Sequence, residues 1–488
     1  MTIRHRQLHR AANAVTLGFA MALAACATTG GIAPHATALD VHVVLPQAAA
    51  PVSLGDTWWQ AYGDAQLDAL VERGLGDNPS LAIVHTRIER AAAAAAEADA
   101  QRQPRVDAGA SVTRERFSAD GAYPPPLAGS TQTLGDLALT GRWELDVFGK
   151  RRALLDAAIG SQRAAEADFQ AARVLLAADI VRQYVQLARL TDQREVLARS
   201  LAQREEILAL IRQRVDAGLD TAVELRQGEG AVPEIEVALD DTDEQSEIAR
   251  HALAALTGQG PDALRGLAPQ LAAVDAVPLP DDVPADLLGR RADITAARWR
   301  VESTARDMDA ARAEFYPSIN LLAFAGYTAI GLDNLLHAGS RQLGVGPALS
   351  LPIFDAGRLR ANYRSKATDV DGAVESYNAA VIEALRETAD ALSSVRHVQA
   401  QRHEQAQARD SAERAYELAI ERYRNGLGSY LTVLAAETNV LAQRRAGDDL
   451  KARALDAQAQ LAHALGGGYV QSRDREATVR IASVHSPN

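Results

Sequence analysis

The residues that could do chemistry in this chain are scattered, and their spacing matches no common catalytic or metal site. The chain has 488 residues, and its eleven histidines form no metal-ligand cluster with a cysteine. It contains no G-x-S-x-G, Walker or dinucleotide-binding fingerprint. Acidic pairs such as Asp240-Asp241 and Asp281-Asp282 are most simply solvated surface. The sequence therefore predicts a protein that is not an enzyme and that holds no metal ion or bound cofactor.

Cys26 is the one residue with a predictable chemistry. It is the only cysteine, so a disulfide within the chain is impossible. A basic segment, a short apolar stretch and small residues precede it, which is typical of a secretory signal peptide over residues 1–25. The sequence L-A-A-C that ends at Cys26 resembles the bacterial lipobox. That resemblance implies a covalent N-terminal lipid on Cys26, and an ordinary signal peptide with an incidental cysteine is the alternative.

Two long stretches of the chain repeat each other. The segment Leu349–Arg358 (L-S-L-P-I-F-D-A-G-R) joins a strand pattern to a long helical pattern, and Trp143–Arg152 (W-E-L-D-V-F-G-K-R-R) has the same joint 206 residues earlier. R-V-D-A-G-L around Gly218 returns as R-Y-R-N-G-L around Gly426, 208 residues later. Offsets this constant predict a tandem duplication. Each half is predicted to contain a helix, two strands, a very long helix, a glycine turn and a return helix.

Alternation of apolar and polar residues predicts four β-strands. In one of them Leu137, Leu139 and Trp143 alternate with polar residues that include Asp136 and Thr140. Strands of about 10–12 residues suit a tilted bilayer crossing, and charges on one face suit the lumen of an outer-membrane barrel. A soluble antiparallel sheet with one wet face has the same alternation and stays open as an alternative. The predicted strands cover residues 105–118, 133–147, 317–328 and 343–353.

The long helices are predicted at residues 150–214 and 355–424. At about 1.5 Å per residue, the first is roughly 95 Å long. In the second, Val374 and Val381 belong to one apolar stripe, and Ile382 belongs to another beside it. A broad apolar face indicates contact with neighbours on both sides, as in a bundle or a helical tube. An ordinary coiled-coil stalk would explain the helices but not the strands.

The composition of the chain excludes some classes of partner. The net charge of −12 argues against nucleic acid. After the signal peptide, no apolar run is long enough for a transmembrane helix. The predicted segments are a signal peptide (1–25), a lipid-anchored extended arm (26–60), a first repeat (61–257), a linker (258–286), a second repeat (287–465) and a disordered tail (466–488).

Taken together, these features resemble outer-membrane factors of the TolC/OprM type, and in particular the NodT-type efflux lipoproteins. The resemblance rests on the lipobox, on W-W followed by Y-G-D at Trp58–Asp64, on the duplicated halves, and on G-L-x-S-Y-L-x-V-L starting at Gly426. The segment Leu287–Ile294 is similar to the family's L-L-x-x-R-P-D-I, with Ala292 where proline is usual.

The resemblance implies an α+β membrane protein that forms a homotrimer. Four strands per chain would make a twelve-stranded β-barrel in the outer membrane of a Gram-negative bacterium, in contact with its lipid, and long helices would continue it as an α-helical barrel in the periplasm. Small molecules would pass outward from an inner-membrane transporter of the resistance–nodulation–division type through a periplasmic adaptor protein. The alternatives are the exit duct of a type I protein secretion system and, from another class, a lipid-anchored periplasmic coiled-coil scaffold without a pore.

The resemblance also implies a gate, which is the adaptor contact as well, at the two helix–helix turns. Glycine suits the left-handed residue that ends a helix before a sharp reversal, and carboxylate–guanidinium links between the turns would hold the tip shut. Solvated helix-end charges are the alternative. The acidic residues that the family often has after the second turn are replaced by Thr432 and Ala435, with Glu437 as the nearest substitute. The residues expected at this gate are Arg214, Asp216, Gly218, Asp220, Glu224, Arg422, Arg424, Gly426 and Tyr430.

Overall fold

The computed structural model describes residues 29–39, 55–274 and 291–469, and these residues form two compact units. The first unit contains residues 29–38, 88–165 and 297–377, and the second contains residues 39, 55–87, 166–274, 291–296 and 378–469. The elements are α1 (Ala65–Asp77), α2 (Pro79–Ala100), β1 (Arg105–Arg116), β2 (Thr131–Leu145), α3 (Lys150–Asp216), α4 (Ala222–Leu256), α5 (Ala292–Ala313), β3 (Ser318–Ile330), β4 (Arg341–Ser350), α6 (Arg358–Arg424) and α7 (Tyr430–Ala464).

The first unit is built on a four-stranded antiparallel sheet in the order β1-β2-β3-β4. Its register places Ala108 opposite Leu139, Leu139 opposite Ala325, and Ala325 opposite Leu343. Direct partners share a face, so this row belongs to one apolar face of the sheet. On that face Leu343 is 81% exposed and Leu349 is 70% exposed. One side of the sheet therefore presents large apolar side chains that the chain itself does not cover.

Three of the four strands end slightly earlier than the sequence predicts, whereas β3 ends at Ile330, two residues after its predicted end. β1 ends at Arg116 instead of residue 118, because Phe117 turns inward and packs on Tyr123 with ring centroids 4.8 Å apart. β2 ends at Leu145 and β4 at Ser350, two and three residues before their predicted ends. The correction is small because the alternation continues into the extended residues that precede each long helix.

The second long helix begins at Arg358, three residues after the predicted start. Ala356 and Gly357 have φ angles of 55° and 89°, so both lie in the left-handed region and cannot belong to the helix. Asp355 still caps the helix, since its carboxylate accepts hydrogen bonds from the amides of Gly357 (3.0 Å) and Leu359 (2.8 Å). A left-handed alanine carries a steric cost that the sequence pattern alone does not indicate.

The second unit has its core where α1, α3, α4 and α7 meet. Trp58, Trp59 and Tyr62 form a short 3₁₀ turn that is buried in this core. Asp64 starts α1 by accepting the amide of Gln66 at 2.8 Å, and its second carboxylate oxygen accepts the hydroxyl of Tyr184 at 2.5 Å. The predicted arm boundary at residue 60 is therefore wrong, because it falls inside a turn that belongs to the core.

Part of the predicted linker also packs in this core. Leu264 and Leu271 are buried there, and the amide of Leu271 donates to Asp192 of α3 at 3.3 Å. Residues 275–286 of the linker lie outside the described residues, as do most of the predicted tail, the signal peptide and Cys26. Gly466 and Gly467 adopt positive φ angles and reverse the chain after α7.

The long helices have the two apolar stripes that their sequence predicts. Val374 and Val381 are buried, whereas Ile382 of the second stripe is 58% exposed. Leu392 of the second stripe packs against the buried cluster of Ala391, Leu461 and Leu465, so only the part of this stripe around Ile382 is open to a neighbour outside the chain. Within the described ranges, no helix combines the length and the apolarity that a bilayer crossing requires.

Candidate functional site: the two helix–helix turns

The two turns that reverse the long helices have the same backbone geometry. Gly218 and Gly426 have φ angles of 76° and 74°. In the first turn the amide of Leu219 donates to the carbonyl of Arg214, and in the second the amide of Leu427 donates to that of Arg422, both at 2.8 Å. Each long helix therefore ends in a left-handed glycine cap with a six-residue return bond, the arrangement that a Cβ would oppose.

A cluster of three side chains, which we call the tip clamp, connects the two turns. It consists of Arg214, Asp220 and Tyr423. Arg214 and Asp220 form a two-point ion pair, with Nε to Oδ2 at 2.9 Å and Nη2 to Oδ1 at 3.1 Å. The hydroxyl of Tyr423, at the end of α6, donates to Asp220 Oδ2 at 2.6 Å. The guanidinium carbon of Arg214 lies 4.7 Å from the centre of the Tyr423 ring.

The electrostatics of the tip clamp favour the ionised carboxylate. The hydrogen bond from Arg214, supported by that from Tyr423, holds the pKa of Asp220 below its usual value. Burial raises the pKa of Tyr423, and its hydrogen bond to Asp220 adds to the rise, so the phenol stays protonated and donates. The charged acceptor makes this a stronger bond than one between neutral groups.

The remaining predicted residues lie at the turns in different roles. Glu224 belongs to a capping box with Thr221, whose amide donates to it at 2.9 Å, and these bonds lower the pKa of Glu224. Tyr430 is buried at the start of α7, with its ring centroid 6.2 Å from that of Tyr423. Arg422 donates to the carbonyl of Leu427 in its own turn at 3.2 Å.

The predicted ion pairs between the turns do not form within one chain. Asp216 and Arg424 are exposed, and across residues 29–39, 55–274 and 291–469 neither they nor Arg422 take part in an ion pair. The link between the turns runs instead through Tyr423, which the sequence analysis missed. A tyrosine in a buried helix stripe looks like core, and nothing in the pattern marks its hydroxyl as a partner of Asp220.

The turns also expose apolar side chains that the sequence analysis did not single out. Leu219 is 67% exposed and Leu427 is 69% exposed, at equivalent positions of the two repeats. Val223 and Leu431 are a further equivalent pair and are exposed too. A signal was available, because apolar residues recur four positions apart on both turns. Single exposed leucines are common, but four at one end of the helices form a small apolar patch.

The described part of the N-terminal arm, Thr29–Leu39, lies along α6. The amides of His35 and Ala36 both donate to Asp371 Oδ1, at 2.6 and 2.8 Å. Arg360 of α6 donates to the carbonyl of Gly30, which lies earlier in the arm, at 3.2 Å. Burial alternates along the arm with a period of two, so it runs extended against the helix. Cys26 itself lies outside the described residues.

Metal and cofactor binding find no support in this geometry. Among the described residues, no group of three or more His, Cys, Asp or Glu side chains is arranged to hold a metal ion. The clusters at the turns are ion pairs, caps and a hydroxyl donor. What the arrangement does is hold two helical hairpins together.

A model of the outer membrane efflux protein family matches residues 70–259 and 283–467 of this chain. The chain belongs to this family. The match leaves out the arm and the tail and covers both repeats. The multidrug resistance outer membrane protein MdtQ of Escherichia coli O157:H7 is 35% identical over 459 residues, which cover 92% of this chain and 96% of that protein. The fusaric acid resistance protein FusA of Burkholderia cepacia is 35% identical over 359 residues, or 71% of this chain and 67% of that protein.

The fold of the chain is also that of a solved family channel. The outer membrane protein VceC of Vibrio cholerae is similar with a TM-score of 0.80 and 37% identity, covering 86% of this chain and all of that one. Both the predicted resemblance and the predicted fold class, a trimeric β-barrel of four strands per chain continued by an α-helical barrel, are confirmed. The family is one of outer-membrane channels, whose members are ducts and not enzymes.

Proposed function

We propose that this protein is the outer-membrane exit duct of a tripartite efflux pump that conducts small molecules out of the cell. The observation that carries the proposal is the sheet of the first unit. One of its faces presents Leu343 and Leu349 almost fully exposed, and the same chain continues into helices of 67 residues. An apolar face of this kind needs lipid or a partner. Four strands cannot close alone, so three copies would form the barrel.

The proposed partners follow from the same surfaces. The exposed side chain of Ile382 on α6 suits the neighbouring copy in a homotrimer. The apolar patch at the turns suits the helical tip of a periplasmic adaptor, which would connect the duct to an inner-membrane transporter of the resistance–nodulation–division type. The names of MdtQ and FusA, which refer to multidrug and fusaric acid resistance, support small organic toxins as the exported class.

The anchor and the gate complete the proposal. Cys26 carries the N-terminal lipid, and the bonds of the arm to Asp371 hold the chain that leads to it. The tip clamp keeps the helical end closed in the resting state, because it joins the two hairpins through one charged acceptor. Gly218 and Gly426 allow the reversals, and Asp216, Glu224, Arg422 and Arg424 supply the charged rim around them.

The function is tested by complementation and by conductance together. In a Gram-negative strain that lacks its own exit ducts, expression of this chain with a matching adaptor and transporter should restore resistance to small antibiotics. The purified trimer should form channels in planar bilayers. A matched pair of variants uses the apolar patch: Leu427→Asp should abolish resistance without loss of the trimer, whereas Arg212→Gln, an exposed residue close to the same tip, should leave resistance unchanged. A chain that forms no channel would point to the coiled-coil scaffold.

A further inference from the structure

A buried ion pair connects the two helical hairpins deeper than the tip clamp. Arg204 of α3 is 6% exposed and Glu437 of α7 is 2% exposed, and Arg204 Nε lies 3.2 Å from Glu437 Oε2. Arg204 Nη1 also lies 3.5 Å from Glu234 of α4 and donates to the carbonyl of Ala231 there. One guanidinium therefore ties α7 to both helices of the first hairpin.

Both members of the pair occupy positions that the helical pattern would fill with apolar residues. Leu197, Arg204 and Ile211 recur every seven residues along α3, and Leu197 and Ile211 are fully buried. In α7, Glu437 follows the buried Tyr430 by the same interval. Charged residues in a helix seam are costly unless they are paired, and they are retained where they set register or a switch.

Further polar atoms surround the pair without partners. Ser200 Oγ, Tyr416 Oη and Glu437 Oε1 are buried and have no hydrogen-bond partner among the described protein atoms. Ser200 lies one helical turn before Arg204 on the same stripe. Burial raises the pKa of Tyr416 to about 12, and the nearby charge of Glu437 adds to the rise. These four residues form a polar node within the apolar cluster that continues to the tip.

The node is a feature of one interface and not of the duplication. With the offset of 208 residues that relates Gly218 to Gly426, Arg204 corresponds to the buried Ala412. Glu437 corresponds to Glu229, whose partner is Arg226 on its own helix. The ordinary contact of the repeat is therefore apolar or local, and the buried pair was added where the first hairpin meets the second.

We propose that Arg204 and Glu437 form a second, internal latch of the duct, which makes the closed state releasable. The proposal rests on the proposed function as a gated channel. Any motion that moves α6 and α7 away from α3 and α4 must separate this pair. Its polar atoms, with those of Ser200 and Tyr416, regain full hydration in the open form, which an apolar seam could not do. The ion pair fixes the helix register of the closed state, and the polarity of the node lowers the free energy that is needed to open it.

The latch predicts opposite effects for two variants of the same pair, measured as the open fraction of single channels in planar bilayers. Glu437→Gln removes the buried counter-charge of Arg204 and leaves only the longer contact with the exposed Glu234, so the open fraction should rise several-fold. Arg204→Met combined with Glu437→Met makes the seam apolar, so the open fraction should fall at least about tenfold, and resistance in complemented cells should be lost although the trimer still assembles. Tyr416→Phe should shift the open fraction in the same direction as the double variant, by less.

The matched control is Arg194→Met with Asp243→Met, an ion pair that joins α3 to α4 inside one hairpin and should leave gating unchanged. The latch is refuted if Glu437→Gln and the double methionine variant move the open fraction in the same direction, or if both behave like the control. The ion pair would then only fix the register between the helices. If the double variant does not assemble, Tyr416→Phe decides: an unchanged or higher open fraction refutes the latch. A wild-type trimer without any conductance would refute the proposed function, and the latch with it.

Discussion

The hydroxyl of Tyr423 offers the sharpest test of the tip clamp. It donates to the ionised Asp220 at 2.6 Å across the two turns, and a hydrogen bond to a charged group contributes about 1.5–3 kcal/mol. If this bond exists only in the closed state, Tyr423→Phe lowers the stability of the closed state by that amount. Since about 1.4 kcal/mol is a factor of ten in an equilibrium constant, the open fraction should rise about ten- to hundredfold.

The variant Asp220→Asn distinguishes the hydrogen bond between Tyr423 and Asp220, which crosses between the hairpins, from the ion pair between Arg214 and Asp220, which lies within the first hairpin. Asp220→Asn also weakens the pair with Arg214, but both of those residues belong to the first hairpin, and their side chains are mostly buried beside each other. That pair does not have to break when the hairpins part. Asp220→Asn should therefore open the channel about as much as Tyr423→Phe does, and the double variant should add little to either. A double-mutant cycle would give a coupling close to the full single effect.

The assay is the open fraction of purified trimers in planar bilayers, with vancomycin sensitivity of expressing cells as a second measure. Arg212→Gln and Glu417→Gln are the controls, because both residues are exposed on the long helices near the same tip and pair with no described residue. Strictly additive effects of Tyr423→Phe and Asp220→Asn would contradict the reasoning. So would a Tyr423→Phe channel as closed as the wild type, which would mean that apolar packing alone holds the tip.

Four further predictions concern the barrel, the anchor, the arm and pH. Leu349→Arg should destabilise the barrel by about 2–4 kcal/mol near the bilayer midplane, whereas Ser350→Arg on the other face should be tolerated; equal tolerance in heat-modifiability gels would favour a soluble sheet. Wild-type protein should incorporate labelled palmitate and Cys26→Ser should not, with a larger loss of assembly than of conductance; an unlabelled wild type would exclude the lipid. Asp371→Ala should release the arm and speed its cleavage by thermolysin at least about tenfold, while Asp371→Asn keeps an acceptor oxygen and should protect it; equal rates would mean the arm is held elsewhere. Because the pKa of Asp220 is lowered in the folded protein, its contribution to the closed state is complete above the unfolded pKa of about 4 and is lost as pH falls through the folded pKa. Conductance should therefore rise only in stronger acid, and Asp220→Asn should remove that rise. A clamp-dependent rise between pH 5 and 8 would contradict this.

Much of the fold follows from the sequence because its signals are local. Alternation predicts which face of a strand Leu139 or Leu343 occupies, since the side-chain period of a strand is two. Glycine predicts the left-handed caps at Gly218 and Gly426, since a Cβ opposes that conformation. The two long helices follow from proline-free, alanine-rich stretches with apolar stripes. None of these predictions depends on which helices pack against each other.

The site was harder to predict because it depends on the register between helices. The hydroxyl of Tyr423 contacts Asp220 only because α6 packs beside the first turn, and no local sequence pattern indicates that contact. Arg422 was expected to cross to the other turn, but it reaches the carbonyl of Leu427 in its own turn. The polar node was not predicted either, although Arg204 and Glu437 interrupt apolar seven-residue spacings that are visible in the sequence.

The two turns are similar in backbone but unequal in how firmly their return helices are capped, and from this difference we predict which hairpin moves if the tip opens. The first return helix begins with a complete capping box, in which Thr221 and Glu224 satisfy each other's backbone amides. The second return helix begins at Ser429, which makes no capping hydrogen bond with its side chain. A cap contributes about 1 kcal/mol to a helix end, so the start of α7 is the less constrained of the two. The first turn also holds Arg214 and Asp220 as an ion pair. The second turn meets this pair through Tyr423, whose hydroxyl donates to Asp220 and whose carbonyl accepts from Arg214 Nη1 at 3.5 Å. We therefore expect the second hairpin to be the one that moves, because its return helix starts with the weaker cap and the carboxylate that Tyr423 binds belongs to the first hairpin.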